Sequence, residues 1–414
     1  MRAGGFSFLP IVLNSSGAPQ LAMSGRWRCV RGGPSSPMHT SHLHPHSTFS
    51  LLRGISLIND HRRPAQYVLG NLLGNVLGGG DRVVAVTSAF EKSALLQIGD
   101  GVNPLLQVDL NLRNEIAEFL ETLAVQGFLN RKPAQLKAPK RYFDEIDSND
   151  LAVRDFQLRA EPELTQSEWI DGASDGGVST VAARSLYPIV LSGRSRVITL
   201  LYSLLLASGV TRVRFADRYY RSVIESCDLG FGAISHRHLG QNYYEQSESA
   251  RRALSLFPID SSSRHDLDTS PPIAIIHYGD CDPVDLVGWS NKQIPHLVIH
   301  QPIGDEIVIG PMVIPGESPC IRCLSLYEID NFGYTRLERI DLNGPYELPM
   351  ITAHYVAAIA ASQILHFIDQ HNSAAPSERP RNTGVGEVSY INFQRLTEPQ
   401  VVAIARHPLC GCDY

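Results

Sequence analysis

Two close pairs of cysteines, far apart in the sequence, constrain this chain more than any other feature. Cys320 and Cys323 are separated by two residues, and Cys410 and Cys412 by one. Thiolates from two such pairs form the tetrahedral four-sulfur shell that Zn²⁺ favours. A closed shell leaves no coordination position for water, so we expect a structural Zn²⁺ that pins the C-terminal end of the sequence onto its domain. Free or disulfide-linked cysteines are the alternative.

The remaining cysteines lack this spacing. Cys29, Cys227 and Cys281 are each isolated, and we interpret them as ordinary thiols. His407 precedes the second pair, but four cysteines already complete a zinc shell. We therefore expect His407 to support or cap the site rather than to bind the metal.

Length and composition limit the class of protein. The 414 residues are too many for one ordinary core, which predicts two domains and connecting segments. A hydrophobic content of 43% and a charged content of 19% are typical of soluble globular proteins, and the net charge of −6 argues against a nucleic-acid-binding surface. Seven cysteines are too few for a disulfide scaffold and favour metal binding in a reducing compartment, so we expect a cytoplasmic protein.

The first 40 residues show no hydrophobic periodicity. Residues 1–40 are rich in Gly, Ser, Pro and Arg, which predicts a disordered extension. The apolar run 6–13 follows a single Arg2 and is a weak match to a signal peptide. The longest apolar run, 197–210, is interrupted by polar residues and is shorter than the ~18 residues of a membrane span. We expect no interaction with a membrane.

Residues 41–135 predict a small winged-helix-like module of mixed strands and helices. Its clearest element is a helix that begins near Asn111, and Gly127 stands where a helix C-terminus is expected. The polar segment 136–184 predicts a connector. The apolar residues at helical spacing are Leu112, Ile116, Phe119, Leu120 and Leu123.

Residues 185–414 predict an α/β domain. A short apolar strand at 187–191 is followed by an apolar helix at 197–207, a second strand that ends at Asp217, and a polar helix near 238–256. Strands that alternate with helices predict a mainly parallel sheet covered on both faces. This is the Rossmann-like arrangement, and its first turn is where a nucleotide would bind.

That first turn has lost most of what a nucleotide site needs. A nucleotide-binding turn uses several glycines because its backbone must approach phosphate closely. Only Gly193 is present here, and Arg194 and Arg196 put bulk into the turn, although their charges could meet an anion. Asp217 stands where an acid would hold a ribose hydroxyl, and a turn or cap residue is the alternative. We predict that Gly193 and Asp217 mark a vestigial nucleotide site and that ATP is not a cofactor.

The histidines do not suggest a second metal site. His39, His42, His44 and His46 lie in a polar segment and are interpreted as solvated side chains. Spacing along the chain does not predict any nucleophile–base arrangement.

Several motifs carry a family resemblance. The runs 210–217, 228–233 and 239–240 are similar in order to the core of ThiF-like, or E1-like, proteins. The run 308–324 and the ending 406–412 resemble that family's signatures around its two zinc cysteine pairs. Residues 43–45 resemble a common opening of its N-terminal module. The chain thus resembles the E1-like leader-peptide-binding proteins of azole-forming peptide clusters, over 186–414 closely and over 43–130 loosely.

The resemblance implies a fold and a role. The fold would combine an N-terminal winged-helix peptide clamp with an E1-like domain that contains structural zinc. The role would be to bind the leader of a ribosomally made precursor peptide, which adds a strand to the clamp's sheet edge. The partner would be a YcaO-type cyclodehydratase, which carries the ATP-dependent cyclisation of Cys, Ser or Thr side chains. A homodimer is left open.

The chain departs from active E1-like enzymes at the groups that hold a triphosphate. The position that resembles their arginine is Phe231, and no lysine stands near Gly240. Asp280 or Asp282 could match their last acid. Without the cations, the charge of a triphosphate would not be neutralised.

Three hypotheses follow. The favoured one is a non-catalytic subunit that presents a leader peptide. The second is an active ATP-dependent adenylyltransferase that acts on a peptide or a small carboxylate. A nicotinamide-dependent oxidoreductase is disfavoured by the lone glycine of the first turn and the closed cysteine shell.

Overall fold

A computed structural model divides the chain into two compact units, Met1–Ala182 and Ala183–Tyr414. The predicted extension 1–40, except for 28–29, and the histidine-rich stretch lie outside the residues that the structure describes. The described residues are 28–29, 50–52, 55–59, 67–70, 83–100, 102–106, 108–130, 136–137, 150–168, 175–219, 221–230, 232–257, 271–340, 346–371 and 385–412.

The described part of the first unit contains short antiparallel strands. The central sheet has three strands in the order β3-β4-β5, while β2 pairs with β6 and β1 pairs with β7. The bounds are β1 Arg28–Cys29, β2 Ser50–Leu51, β3 Ser56–Asn59, β4 Tyr67–Gly70, β5 Val83–Val86, β6 Leu129–Asn130 and β7 Leu136–Lys137.

Two helices, α1 (Ala89–Gly99) and α2 (Leu110–Val125), share a hydrophobic core with strands β4 and β5. Helix α2 confirms the predicted helix, which ends before Gly127 in the left-handed conformation. Leu112 is 37% exposed, whereas the other apolar residues predicted for this helix are buried. The buried members are Ile116, Phe119, Leu120 and Leu123.

The segment 136–184, predicted as a connector, contains two helices. They are α3 (Asp150–Glu168) and α4 (Val178–Arg184). Helix α3 buries Phe156, Ala160 and Leu164 at a strict four-residue spacing. Such a narrow apolar stripe in a polar helix that contains a proline gives a weak periodic signal, which is why the helix was missed.

The second unit is built on one seven-stranded sheet with the order β14-β13-β12-β11-β10-β8-β9. The pairs β9-β8, β8-β10 and β10-β11 are parallel, and the pairs from β11 to β14 are antiparallel. The bounds are β8 Ile189–Ser192, β9 Val213–Phe215, β10 Ala274–Tyr278, β11 His296–Ile299, β12 Glu306–Val313, β13 Glu387–Asn392 and β14 Gln400–Ala403.

The antiparallel part refines the prediction of a mainly parallel sheet. A parallel crossover needs a dozen or more residues, usually with a helix. The chain between β11 and β12 spans only residues 300–305, so β12 must return antiparallel to β11. The parallel part, which resembles a Rossmann sheet, therefore lies at the β9 end.

Both faces of the sheet are buried, as predicted. Ile307 and Ile309 of β12 join the main core, whereas Val308 between them packs with Leu324 on the other face. The helices of this unit are α5 Arg196–Ala207, α6 Tyr243–Leu254, α7 Pro283–Asn291, α8 Ile321–Phe332 and α9 Met350–His371.

Helix α9 is long and apolar enough to cross a membrane, by length and composition alone. Its residues Val356, Ala360 and Ile364 are fully buried in the main core of the second unit. Core helices of soluble proteins pass the same test of length and hydropathy. The packing of α9 identifies it as a core helix of the second unit.

Candidate functional site

The four cysteines of the two pairs lie together. Cys320 precedes helix α8 as its N-cap residue, and Cys323 follows one turn later. The Sγ atom of Cys320 lies 3.3 Å from that of Cys410 and 3.8 Å from that of Cys323, while the Sγ atoms of Cys323 and Cys412 are 3.5 Å apart. All four sulfur atoms lie within 4.8 Å of one another, so they could hold a metal ion.

The geometry can be compared with a zinc–thiolate tetrahedron. Zn–S bonds of about 2.3 Å place tetrahedral sulfur atoms about 3.8 Å apart, close to the separations observed here. Burial raises the pKa of the Cys410 and Cys412 thiols. Burial opposes ionisation of Cys323 as well, but a hydrogen bond from the backbone N–H of His407 helps to lower its pKa. A metal would replace the thiol protons and supply the charge that this cluster otherwise lacks.

His407 holds the second cysteine pair in place. Its backbone N–H donates to Cys323 Sγ at 3.3 Å, and its Nδ1 accepts from the N–H of Leu409 at 3.1 Å. Its Nε2 lies 2.9 Å from a carboxylate oxygen of Asp330. The ring nitrogens are thus engaged away from the sulfur atoms, in agreement with the expectation that His407 supports the site.

The second candidate site is the crevice at the carboxyl ends of β8, β9 and β10, where Rossmann-like sheets bind ligands. In the turn between β8 and α5, Gly193 has φ +91° and its N–H donates to the hydroxyl of Tyr219 at 2.8 Å. A Cβ atom on Gly193 would lie 2.2 Å from the carbonyl oxygen of Tyr278. The close approach of strand β10 therefore accounts for this glycine, and its amide is already satisfied inside the chain.

Arg194 does not face an open anion site. Its guanidinium makes two hydrogen bonds to the carboxylate of Asp228, which is fully buried. It also donates to Glu225 at 3.0 Å and to the carbonyl of Val223 at 2.9 Å. The hydrogen bond to Asp228 raises the pKa of Arg194. The charge of Arg194 is therefore used to neutralise a buried carboxylate of the same chain.

Arg196 and Asp217 remain at the rim of this crevice. The Nε atom of Arg196 lies 3.6 Å from Glu347, and burial raises the pKa of Glu347. Asp217, where the strand was predicted to end, begins the 3-10 turn Asp217–Tyr219 two residues beyond the observed end of β9. Its side chain and the whole of Phe231 lie outside the described residues.

The two residues that could match the last acid of active E1-like enzymes are engaged elsewhere. Asp280 accepts from Arg339 at 2.8 Å, and Asp282 caps helix α7 through the N–H of Val284. Helix α7 itself was not predicted from the sequence.

The groups that occupy this crevice could not be found from spacing. Asp228 carried part of the family resemblance, but its contact with Arg194 spans 34 residues. Tyr219 is 26 residues from Gly193, and Arg339 is 59 residues from Asp280. To predict these contacts from a single sequence, one must know which strand ends are neighbours in the sheet.

Comparison with known proteins identifies the fold. No protein-family model matches the chain, and no curated protein matches it. Among solved structures, E. coli MccB with ATP has a TM-score of 0.57 at 14% identity and covers 89% of this chain and 100% of its own. The microcin C7 biosynthetic enzyme MccB in complex with N-formylated MccA has a TM-score of 0.57 at 13% identity, covering 88% and 99%.

A further structure, that of PaaA, has a TM-score of 0.54 at 14% identity and covers 85% of this chain and 99% of its own. Likeness at this level of identity shows the fold alone. The chain therefore has a mixed α/β fold of the E1-like kind found in MccB.

Proposed function

We propose that this protein binds the leader of a ribosomally made precursor peptide and presents it to a YcaO-type cyclodehydratase without itself activating a carboxylate. The observation that carries the proposal is the hydrogen bonding within the crevice of the second unit. The groups that would meet a nucleotide there are hydrogen-bonded to other parts of the chain.

Adenylation requires donors and cations aimed at the phosphates. In this crevice the Gly193 amide donates to Tyr219, and the Arg194 guanidinium donates to Asp228. Releasing Arg194 for a phosphate would leave a fully buried carboxylate without its cation, which typically costs about 3–5 kcal/mol. That cost disfavours ATP binding at this site.

The first unit supplies a surface suited to an extended peptide. Within the described residues, strand β5 pairs only with β4, so its other edge offers backbone donors and acceptors. Val84 and Val86 of β5 are buried in the core, while Ala85 is exposed. An added strand would form main-chain hydrogen bonds with this edge, and neighbouring side chains would supply specificity.

Helix α2 offers further candidate contacts in the same unit. Asn114, Glu118 and Glu121 lie at helical spacing on the face opposite the buried residues of α2, and Asn114 and Glu118 are exposed. A merely solvated face is the alternative for these three residues. We propose that this face contributes to leader binding.

We further propose that the cysteine cluster holds one structural Zn²⁺. Cys320, Cys323, Cys410 and Cys412 would be its ligands, and the bound metal would tie the segment after β14 to helix α8. Its contribution would be to folding stability, because four thiolates fill the coordination shell.

The role in leader binding can be tested by fluorescence titration with the leader peptide encoded nearest this gene. We expect a Kd in the micromolar range or tighter. Glu118→Ala should weaken binding about tenfold, as expected for a contact worth about 1.4 kcal/mol. Glu115→Ala is the matched control, since Glu115 is an exposed glutamate of α2 outside the proposed face. Absence of binding by the wild-type protein, with and without the cyclodehydratase, would exclude the proposed function.

The alternative function is an active adenylyltransferase. It is favoured by the likeness to MccB, whose structure has been solved with ATP. ATP–pyrophosphate exchange separates the two functions: we expect none above background with leader or full precursor. Robust exchange would favour the alternative.

A further inference from the structure

A serine and a histidine that spacing did not connect meet at the centre of the parallel sheet. Ser192 is the last residue of β8, and it is directly paired with His277 of the neighbouring parallel strand β10. The Oγ atom of Ser192 lies 3.1 Å from Nδ1 of His277, and both residues are buried. Their side chains therefore form a hydrogen-bonded serine–histidine pair at the carboxyl edge of the sheet, where α/β proteins place reacting groups.

The hydrogen bonds determine the direction of proton transfer. Nε2 of His277 lies 3.1 Å from the backbone carbonyl oxygen of Asp280, which can only accept, so Nε2 carries the proton. Nδ1 is then an acceptor, and the hydroxyl of Ser192 donates to it. Burial, and to a lesser degree the charge of Arg218, hold the pKa of His277 below its usual range. The imidazole is therefore neutral at pH 7 and free to accept the serine proton.

Arg218, which follows the end of strand β9, also contacts the serine–histidine pair. It belongs to the 3-10 turn that follows β9, and its Nη2 donates to Ser192 Oγ at 2.7 Å. Arg218 is exposed and stacks on the ring of Tyr219, at 5.0 Å from the centroid. Among the described residues, no carboxylate forms a salt bridge with Arg218. Its guanidinium can thus shift from the hydroxyl to the oxygen of a bound carbonyl group.

We propose that Ser192 is a nucleophile for an activated acyl group, an ester or a thioester, with His277 as its general base and Arg218 as the donor to the acyl oxygen. Ser192 Oγ forms the new C–O bond while its proton passes to Nδ1 of His277. The bond to the leaving alcohol or thiol breaks, and that leaving group takes the proton from His277. Water then hydrolyses the acyl-serine with the same histidine as base, which restores the serine hydroxyl and releases the acid.

This site is independent of the proposed leader binding, which involves the first unit. It also does not require ATP, because the acyl group arrives already activated. The proposed nucleophile, base and donor come from the ends of three adjacent strands, and the hydrogen bonds of Ser192 Oγ join all three.

The full-length protein can be tested with an alkyl fluorophosphonate. Serine attack on phosphorus expels fluoride and leaves a stable phosphonyl-serine, which peptide mass mapping locates. We expect about one phosphonyl group per chain, on Ser192, and His277→Gln should slow its incorporation at least ~100-fold, the usual lower contribution of a general base.

Ser195→Ala is the matched control, since Ser195 is a buried serine of the same turn that caps helix α5. Its labelling should equal that of the wild type. Circular dichroism of each variant establishes that it is folded. No modification of Ser192 in the folded wild-type protein, or an equal rate in folded His277→Gln, would overturn the proposal.

Discussion

Gly193→Ala tests directly whether the first turn of the sheet is shaped by packing rather than by a nucleotide. The backbone of Gly193 has φ +91°, a conformation that costs an L-residue about 1–2 kcal/mol. The added Cβ would also lie 2.2 Å from the carbonyl oxygen of Tyr278, a backbone atom that cannot rotate away. Overpacking of this kind costs about 1–3 kcal/mol, and a backbone clash belongs at the upper end.

Together these effects should lower the free energy of unfolding by about 4 kcal/mol, and the Tm by roughly 8–16 °C for a unit of this size. Gly240→Ala is the matched control. Gly240 also has a positive φ, +75°, but nothing lies within 4 Å of the position of its Cβ. Its Tm should fall by only about 3–6 °C. Differential scanning calorimetry of both variants measures the difference, and equal Tm values for the two would refute the packing argument.

Three further predictions concern the cysteine cluster, the buried ion pair and a buried histidine. Purified protein should contain about one equivalent of zinc by metal analysis. Cys410→Ser should lower both the zinc content and the free energy of unfolding, whereas Cys227→Ser should change neither. A metal-free protein of full stability would contradict the zinc assignment. Arg194→Ala should lower the free energy of unfolding, measured in urea, by about 3 kcal/mol because it leaves the buried carboxylate of Asp228 without its cation. Adding Asp228→Asn should recover part of that loss. Strictly additive effects of the two substitutions would argue against the ion pair. Burial lowers the pKa of His300 to about 3, so the unfolded state binds the extra proton between that pH and 6.5. The free energy of unfolding should then fall by up to about 1.4 kcal/mol per unit as the pH drops below 6.5, and His300→Gln should flatten this dependence; parallel pH profiles of the two proteins would contradict it.

Local sequence patterns were sufficient to predict several helices and strands of the second unit. The apolar run after Gly193 predicted a buried helix, and the structure has that helix at Arg196–Ala207. The strand before it and the strand that ends ahead of Asp217 were also predicted, because both are short apolar runs bounded by turn residues. The two cysteine pairs predicted one shared site for a chemical reason, since thiolates at such spacing are a recurrent metal shell.

Other features depended on which distant segments become neighbours. The antiparallel half of the sheet follows from the short connection between β11 and β12, which has no periodic signature of its own. Helix α3 was missed because its buried stripe is only one residue wide along a polar surface. For helix α3, tertiary burial rather than local preference decides the outcome.

The chemistry of the crevice was decided by tertiary structure alone. The sequence by itself showed that Gly193 and Arg194 stand in the first turn of an α/β sheet, and that most glycines of a nucleotide site are missing. Only the fold brings Asp228 to Arg194 and His277 to Ser192, because parallel pairing aligns the carboxyl ends of strands that are far apart in the chain. A hydrogen bond depends on distance in space, and separation along the sequence carries no information about it until the strand order is known.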